Sequence, residues 1–158
     1  MFFNVVLIVL SMAYPGFSAL FKECNENIIL DSDNKVTINS PNFPEFRYKS
    51  GSSCRYTITA DVNYAVDVDC MINIDTSEGD CSSQRFYISP DGIADLRGAE
   101  YFCNGTVINV TKRSTVNTMV LAYTSESDGK TGYFSCNVKR IKVGCDCGWS
   151  ASVSKSLF

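Results

Sequence analysis

Residues 66–75 read Val66-Asp67-Val68-Asp69-Cys70-Met71-Ile72-Asn73-Ile74-Asp75. Val66, Val68, Cys70, Ile72 and Ile74 share one parity, and Asp67, Asp69, Met71, Asn73 and Asp75 share the other. Successive side chains of an extended chain point to opposite faces, so this stretch is a strand with one dry and one wet face.

The same period of two recurs on both sides. Cys54, Tyr56, Ile58 and Ala60 alternate with Arg55, Thr57 and Thr59. Phe86 and Ile88 alternate with Arg85, Tyr87 and Ser89, and Phe134, Cys136 and Val138 alternate with Ser135, Asn137 and Lys139. Met119 to Tyr123 (MVLAY) is a continuous apolar run, as expected of a strand covered on both faces. Turn chemistry separates these runs: Ser40-Pro41-Asn42-Phe43-Pro44, Lys49 to Ser53, Pro90-Asp91-Gly92, and Ser125 to Gly132. No segment carries an apolar stripe at the helical period. Short strands at this spacing predict an all-β sandwich or barrel.

Composition narrows the function. The chain has 158 residues, 45% of them hydrophobic, enough for one domain with a substantial core. The net charge of −3 lacks the basic footprint that nucleic acid demands, and no nucleic-acid partner is expected. Phe2 to Met12 (FFNVVLIVLSM) is an uncharged apolar run too short to span a bilayer, broken by Pro15 and Gly16. Gly16 and Ser18 supply the small residues of a signal-peptidase site, so residues 1–18 are expected to be a signal peptide cut after Ser18. No second long apolar run follows, and no membrane span is expected.

All eight cysteines follow that point, and in an oxidising compartment an even number implies a disulfide framework. Zinc is disfavoured because there is no histidine and the only close pair, Cys145 and Cys147, is separated by one residue. Cys70 and Cys136 both fall on the inward parity of different strands and are natural partners across the core. Cys54 needs an upstream partner, for which only Cys24 is available, and Cys81 and Cys103 bracket Phe86 to Leu96 and remain for each other. Six cysteines allow fifteen connectivities, so parity alone leaves alternatives open.

The order Cys24, Ser40-Pro41-Asn42-Phe43-Pro44, Tyr48, Cys54, Tyr56 and Ile58 resembles the opening of a CUB domain. Cys81, Phe86, Ile88, Asp91-Gly92, Leu96, Phe102-Cys103, Leu121, Tyr123, Ser125 and Gly132-Tyr133-Phe134 resemble the rest of it. The resemblance implies a two-sheet antiparallel jelly-roll-like sandwich over residues 19–144, with its core in 24–138, stapled by Cys24–Cys54 and Cys81–Cys103. The additional pair Cys70 and Cys136, and the segment Cys145-Asp146-Cys147-Gly148-Trp149-Ser150, resemble CUB regions that precede a trypsin-like protease in insects. Short secreted chains of this shape also resemble venom CUB proteins of assassin bugs. Residues 145–158 are expected to be a cysteine-containing tail without a protease domain.

Candidate sites follow from residue chemistry. Without histidine the Ser-His-Asp and Cys-His constellations cannot form, so no enzyme and no catalytic residue is expected. Asp67 and Asp69 form a carboxylate pair, but they lie one strand period apart on the wet face. CUB domains that hold calcium carry an Asp three residues after the third cysteine. Here Ser82, Ser83 and Gln84 follow Cys81, Thr76 stands beside Asp75 at the earlier acidic position, and Glu126 replaces the late Asp. Calcium needs several charged oxygen ligands, so no metal or cofactor is expected. Asn104-Gly105-Thr106 and Asn109-Val110-Thr111 are N-glycosylation sequons. Phe46, Tyr48 and Trp149 are aromatic candidates for a partner contact, although Tyr48 fits the core pattern. The expected function is a secreted binding module for an extracellular protein or glycan.

Cys145 and Cys147 remain outside the three bridges. A bond between them would close a ring through Asp146 alone, where the preferred dihedral of about 90° is hard to reach. An intermolecular link to a second copy or another protein is therefore expected, with the Cys145–Cys147 bridge as the alternative. Non-reducing electrophoresis of secreted protein should show a dimer or adduct that collapses on reduction and disappears when both cysteines become serine. A monomer whose intact mass accounts for four internal bridges would establish the alternative.

Overall fold

The computed structural model describes residues 21, 24–76, 81–103, 105 and 107–144. The signal segment with its Ser18 cut, Asn104, and Cys145, Cys147 and Trp149 lie outside the described residues. Nine strands run in chain order: β1 Asn25–Leu30, β2 Val36–Asn39, β3 Ser53–Ala60, β4 Tyr64–Ile74, β5 Gln84–Ser89, β6 Glu100–Phe102, β7 Ile108–Arg113, β8 Thr118–Ser125 and β9 Gly132–Lys142. They form a five-stranded sheet, β1-β3-β8-β5-β6, and a four-stranded sheet, β2-β9-β4-β7. All pairings are antiparallel except β1 with β3. The all-β sandwich expected from the sequence is the fold.

The inward parity of each sheet meets the other in one core. Tyr56, Ile58, Phe86, Ile88, Met119, Leu121 and Tyr123 from the larger sheet pack against Val66, Val68, Ile72, Ile74, Phe134 and Val138 from the smaller. Aromatic rings fill one end. The Tyr48 ring stacks on Tyr123 with centroids 4.6 Å apart, and Phe134 lies 4.8 Å from Phe86 and 5.6 Å from Tyr123. Each such pair contributes about 0.5–1.5 kcal/mol beyond its buried area.

β8 is buried on both faces. Met119, Leu121 and Tyr123 face the core, whereas Val120 and Ala122 point outward beneath Phe21 and Leu96. Ser89 is buried as well, although its position on the outer parity of β5 otherwise reads as solvated. Its hydroxyl donates to Asp91 Oδ1 at 2.6 Å, and this bond, ahead of a backbone amide, holds the Asp91 carboxyl below its ordinary range. At the opposite end from the aromatic rings, Arg140 pairs with Asp33 at 3.0 Å and Asp61 at 2.5 Å while its guanidinium lies over the Tyr64 ring. It ties the β1–β2 and β3–β4 connections to β9.

Three disulfides join Cys24 to Cys54, Cys70 to Cys136 and Cys81 to Cys103. Cys70 and Cys136 do not bridge the two sheets as the sequence reading places them. They stand directly opposite each other on β4 and β9, neighbours in one sheet, with Cα atoms 4.0 Å apart. Both point into the core, so parity is right. Parity cannot tell a facing strand from an adjacent one.

Gly132 opens β9 where Tyr48 crosses it. A Cβ there would come within 2.7 Å of the Tyr48 ring and 2.9 Å of the Asn73 carbonyl. The carbonyl belongs to the paired strand and cannot give way. Gly132→Ala is expected to destabilise the fold by about 1–3 kcal/mol, as overpacking of a tight site does. Urea denaturation of the two proteins side by side measures it.

Candidate functional site: the outer face of the four-stranded sheet

The register that sends Cys70 and Cys136 inward sends their neighbours outward in transverse rows. One row runs Lys139, Asp67, Arg113. The next runs Thr37, Asn137, Asp69, Thr111 across all four strands, and the third Asn39, Ser135, Met71, Asn109. Thr37 Oγ1 donates to Asn137 Oδ1 at 3.2 Å, and Thr111 Oγ1 donates to Asp69 Oδ1 at 3.5 Å. Arg113 grips Asp67 with two bonds, of 2.7 and 3.1 Å, and this bonding holds its own proton more firmly. The pair is solvent-exposed on the arginine side, so it positions Asp67 more than it stabilises the fold. Between the first two rows lies a hollow of about 180 Å³ lined by Lys35, Asp67, Asp69, Thr111, Asn137 and Lys139.

A different chemistry closes the face at the β9 start. Tyr133 stands outward beside Asn73, with the Phe43 ring 5.7 Å away and the Arg47 guanidinium 5.2 Å over its own ring. The 41–48 loop delivers Phe43 and Arg47 through Asn42, which adopts φ 67°, a left-handed conformation that asparagine tolerates, and accepts from the Phe46 amide at 2.8 Å. Arg47 also donates to the Thr131 carbonyl. Asn73 is buried, donates to the Gly105 carbonyl at 3.0 Å, and its Oδ1 has no partner among the described residues. A buried acceptor without a partner is uncommon and is satisfied by water or ligand. The face therefore combines an aromatic and cationic end with a field of hydroxyls, amides and carboxylates.

Sequence-selected residues fall as follows. Asp67 and Asp69 do lie on the wet face, held by Arg113 and Thr111 rather than by each other. Asn109 is exposed in the third row, beside Met71. Tyr48 is core, and Phe46 is exposed on the loop next to the aromatic end. Tyr133, Phe43, Arg47, Asn73 and Asn137 were not singled out by sequence reasoning. The signal for Tyr133 and Asn137 was the outward parity of β9, but only the pairing of β9 with β4 and the approach of the 41–48 loop turn that parity into a site.

The position at which the sequence departs from the calcium pattern serves the core instead. Gln84, at the position where calcium-holding relatives carry an Asp, is fully buried. Its Oε1 accepts from the Tyr48 hydroxyl at 2.9 Å and its Nε2 donates to the Asp75 carbonyl at 3.3 Å. Burial, then the neighbouring Tyr123, pushes the Tyr48 hydroxyl pKa well above the ordinary tyrosine range, so it remains a neutral donor. Both polar ends of Gln84 are committed within the fold. Among the described residues, the only cluster of metal-ligating types is Cys24, Glu26 and Cys54, two of which are joined in a disulfide. This donor set does not fit a calcium ion.

A two-sheet, disulfide-stapled sandwich with a polar outer face is the architecture of an extracellular-type recognition module. The CUB domain family pattern matches residues 24–137, and the chain belongs to the CUB domain family. Among solved structures it is similar to the extracellular region of zebrafish Gpr126/Adgrg6, with 24% identity, a TM-score of 0.63, and 76% of this chain against 15% of that one. It is also similar to the CUB1-EGF-CUB2 region of human MASP-1/3, with 17% identity and a TM-score of 0.59 over 75% of this chain and 43% of that one. A third similar structure is the MASP-1 CUB2 domain bound to Ca2+, at 17% identity and a TM-score of 0.55, over 71% and 96% of the two chains. The chain thus spans less than half the length of the first two. Comparison with curated proteins finds no match.

The Tyr48 and Gln84 pair generates a direct test. Tyr48→Phe removes the donor and leaves Gln84 Oε1 buried without it, which is expected to cost about 1–3 kcal/mol. Thermal or urea unfolding reads the loss. An unchanged stability would show that Gln84 is satisfied by other means.

Proposed function

We propose that this chain is a secreted, non-catalytic CUB module that binds an extracellular protein or glycan across the outer face of its four-stranded sheet. The observation that carries the reading is the union on that face of the Tyr133, Phe43 and Arg47 cluster with the polar rows around Asp69 and Asn137. Aromatic and arginine side chains dominate binding energy at recognition surfaces, and hydroxyl, amide and carboxylate groups supply its directionality. The disulfide framework and the uncharged apolar Phe2 to Met12 run support an extracellular setting.

The setting of a venom or other secretory fluid is supported by the resemblance of the cysteine pattern and of Cys145 to Ser150 to insect CUB proteins. The same segment supports a second reading, in which the chain is the N-terminal regulatory part of a CUB and trypsin-like protease, produced by truncation or splicing. A transcript that continues past Ser150 into a histidine-containing protease would favour the second reading. Calcium takes no part in the binding proposed here, because Gln84 occupies the acidic position and is bonded within the fold.

Asn109 sits on the binding face itself, so a glycan on it would cover the β7 side of the rows. The test is capture of partners from extracellular fluids and on a glycan array, using the mature protein with Tyr133→Ala, Asp69→Ala and Asn109→Gln variants. Loss of an aromatic anchor is expected to cost about 2 kcal/mol, a roughly thirtyfold drop in affinity. Asp69→Ala should weaken the same partner, Asn109→Gln should leave it equal or tighter, and a calcium chelator should change nothing. A partner indifferent to both Tyr133→Ala and Asp69→Ala binds elsewhere and overturns the assignment of the face.

A further inference from the structure

The outer face of the five-stranded sheet, on the other side of the sandwich from the polar rows, carries a separate hollow. Phe21 and Leu96 cover this face as far as Tyr87, which packs against them. Beyond that cover the register sets Ser53, Thr124 and Arg85 in one outward row across β3, β8 and β5, and sets Tyr87 beside Tyr101 in the next. A hollow of about 420 Å³ lies there, lined by Ser53, Ser83, Arg85, Tyr87, Thr124 and Glu126. That is within the range of small-ligand sites, about 300–1,000 Å³. No lining residue is shared with the face of the four-stranded sheet.

The polar groups of this hollow are held in place but not consumed. Arg85 Nε donates to the Cys81 carbonyl, and the guanidinium lies 5.1 Å over the Tyr101 ring, so the side chain is ordered in advance of any ligand. Among the described residues neither Nη1 nor Nη2 of Arg85 finds an acceptor, and neither Arg85 nor Glu126 is in an ion pair. The Glu126 amide donates to the Ser83 carbonyl at 2.8 Å, which ties the two residues together. Ser83 is buried, and among the described residues no hydrogen bond of good geometry reaches its Oγ. A buried hydroxyl so placed is satisfied by water or ligand.

The types of donor and acceptor select the ligand. A guanidinium only donates, a carboxylate only accepts, and serine and threonine hydroxyls do both. An anion would meet Arg85 and be opposed by Glu126, and an ammonium group the reverse. Adjacent hydroxyls of a sugar donate and accept together without carrying charge. The Tyr87 and Tyr101 rings, 6.3 Å apart, offer aromatic surface to the apolar face of a sugar ring. We propose that this hollow is a binding site for a neutral sugar, the terminal unit of a glycan.

The test is an NMR titration of the isotopically labelled mature protein with the methyl glycosides of mannose, galactose, glucose and N-acetylglucosamine. Sodium sulfate and N-acetyl-lysine amide serve as the charged alternatives. At least one glycoside should shift the Arg85, Tyr87, Tyr101 and Thr124 resonances saturably at millimolar concentration. Glu126→Gln, at an exposed position, and Thr124→Val should each weaken that binding severalfold. Arg85→Gln should weaken it roughly tenfold, as loss of a bond to a charged group does. If Arg85→Gln fails to fold, the other two variants decide alone. The proposal is overturned when no glycoside shifts these resonances, or when neither Glu126→Gln nor Thr124→Val weakens the binding. Shifts centred on Tyr133 and Asn137 also overturn it, because they place the sugar on the other sheet. So does sulfate that binds here more tightly than the sugars and tighter still in Glu126→Gln, which makes the ligand an anion.

Discussion

The antiparallel pairing of β4 with β9, along all 11 residues of each strand, is the constraint on which the rest of the structure depends. It sets Val68 against Val138, Cys70 against Cys136 and Ile72 against Phe134 on the core side. In the same register it sets Asp67 against Lys139, Asp69 against Asn137 and Met71 against Ser135 on the other side. A slip of one residue would exchange the two sets, placing carboxylates in the core and phenylalanine in water. The Cys70–Cys136 bond lies at the middle of this pairing and locks the register covalently. The core and the outer polar face are therefore two sides of a single choice.

Polarity is distributed differently at the places where this molecule could meet a partner. At the Tyr48 end, the buried hydroxyl and amide satisfy each other and the Asp75 carbonyl, so this buried pair is neutral and self-contained. On the outer sheet face, Asn73 retains an acceptor without a partner and the Tyr133 cluster stands free of the core. At the Arg140 end Ser114 and Asn117 are hydrogen-bonded within the fold, and Val62, Val116 and Val143 are exposed. The fold thus gathers exposed polar groups on one sheet face and exposed valines at one rim.

Much of the fold was legible because alternation is strong in β3, β4, β5 and β9, where inward positions are aliphatic or aromatic and outward positions are mostly polar. The double burial of β8 was visible in Met119 to Tyr123, and Phe21 and Leu96 supply the second cover. The site was legible only in fragments. Asp67 and Asp69 stood out as a pair, but their structural partners are Arg113 and Thr111, 46 and 42 residues away in sequence. Tyr133 sat inside a familiar run, Gly132-Tyr133-Phe134, where its outward direction had no visible meaning without β4 beside it.

The sequence by itself determined that this is an all-β chain and which side chains of each strand face inward. These are properties of single residues and of a period of two, and both are local. Only the tertiary structure decided that Cys70 and Cys136 are neighbours in one sheet, that Gln84 is consumed by Tyr48 and Asp75, and that Phe43, Arg47 and Tyr133 meet. It also gathered Val62, Val116 and Val143 at one rim. Which strands become neighbours depends on how two sheets close over a shared core, a long-range balance of burial and chain connection that no local pattern encodes.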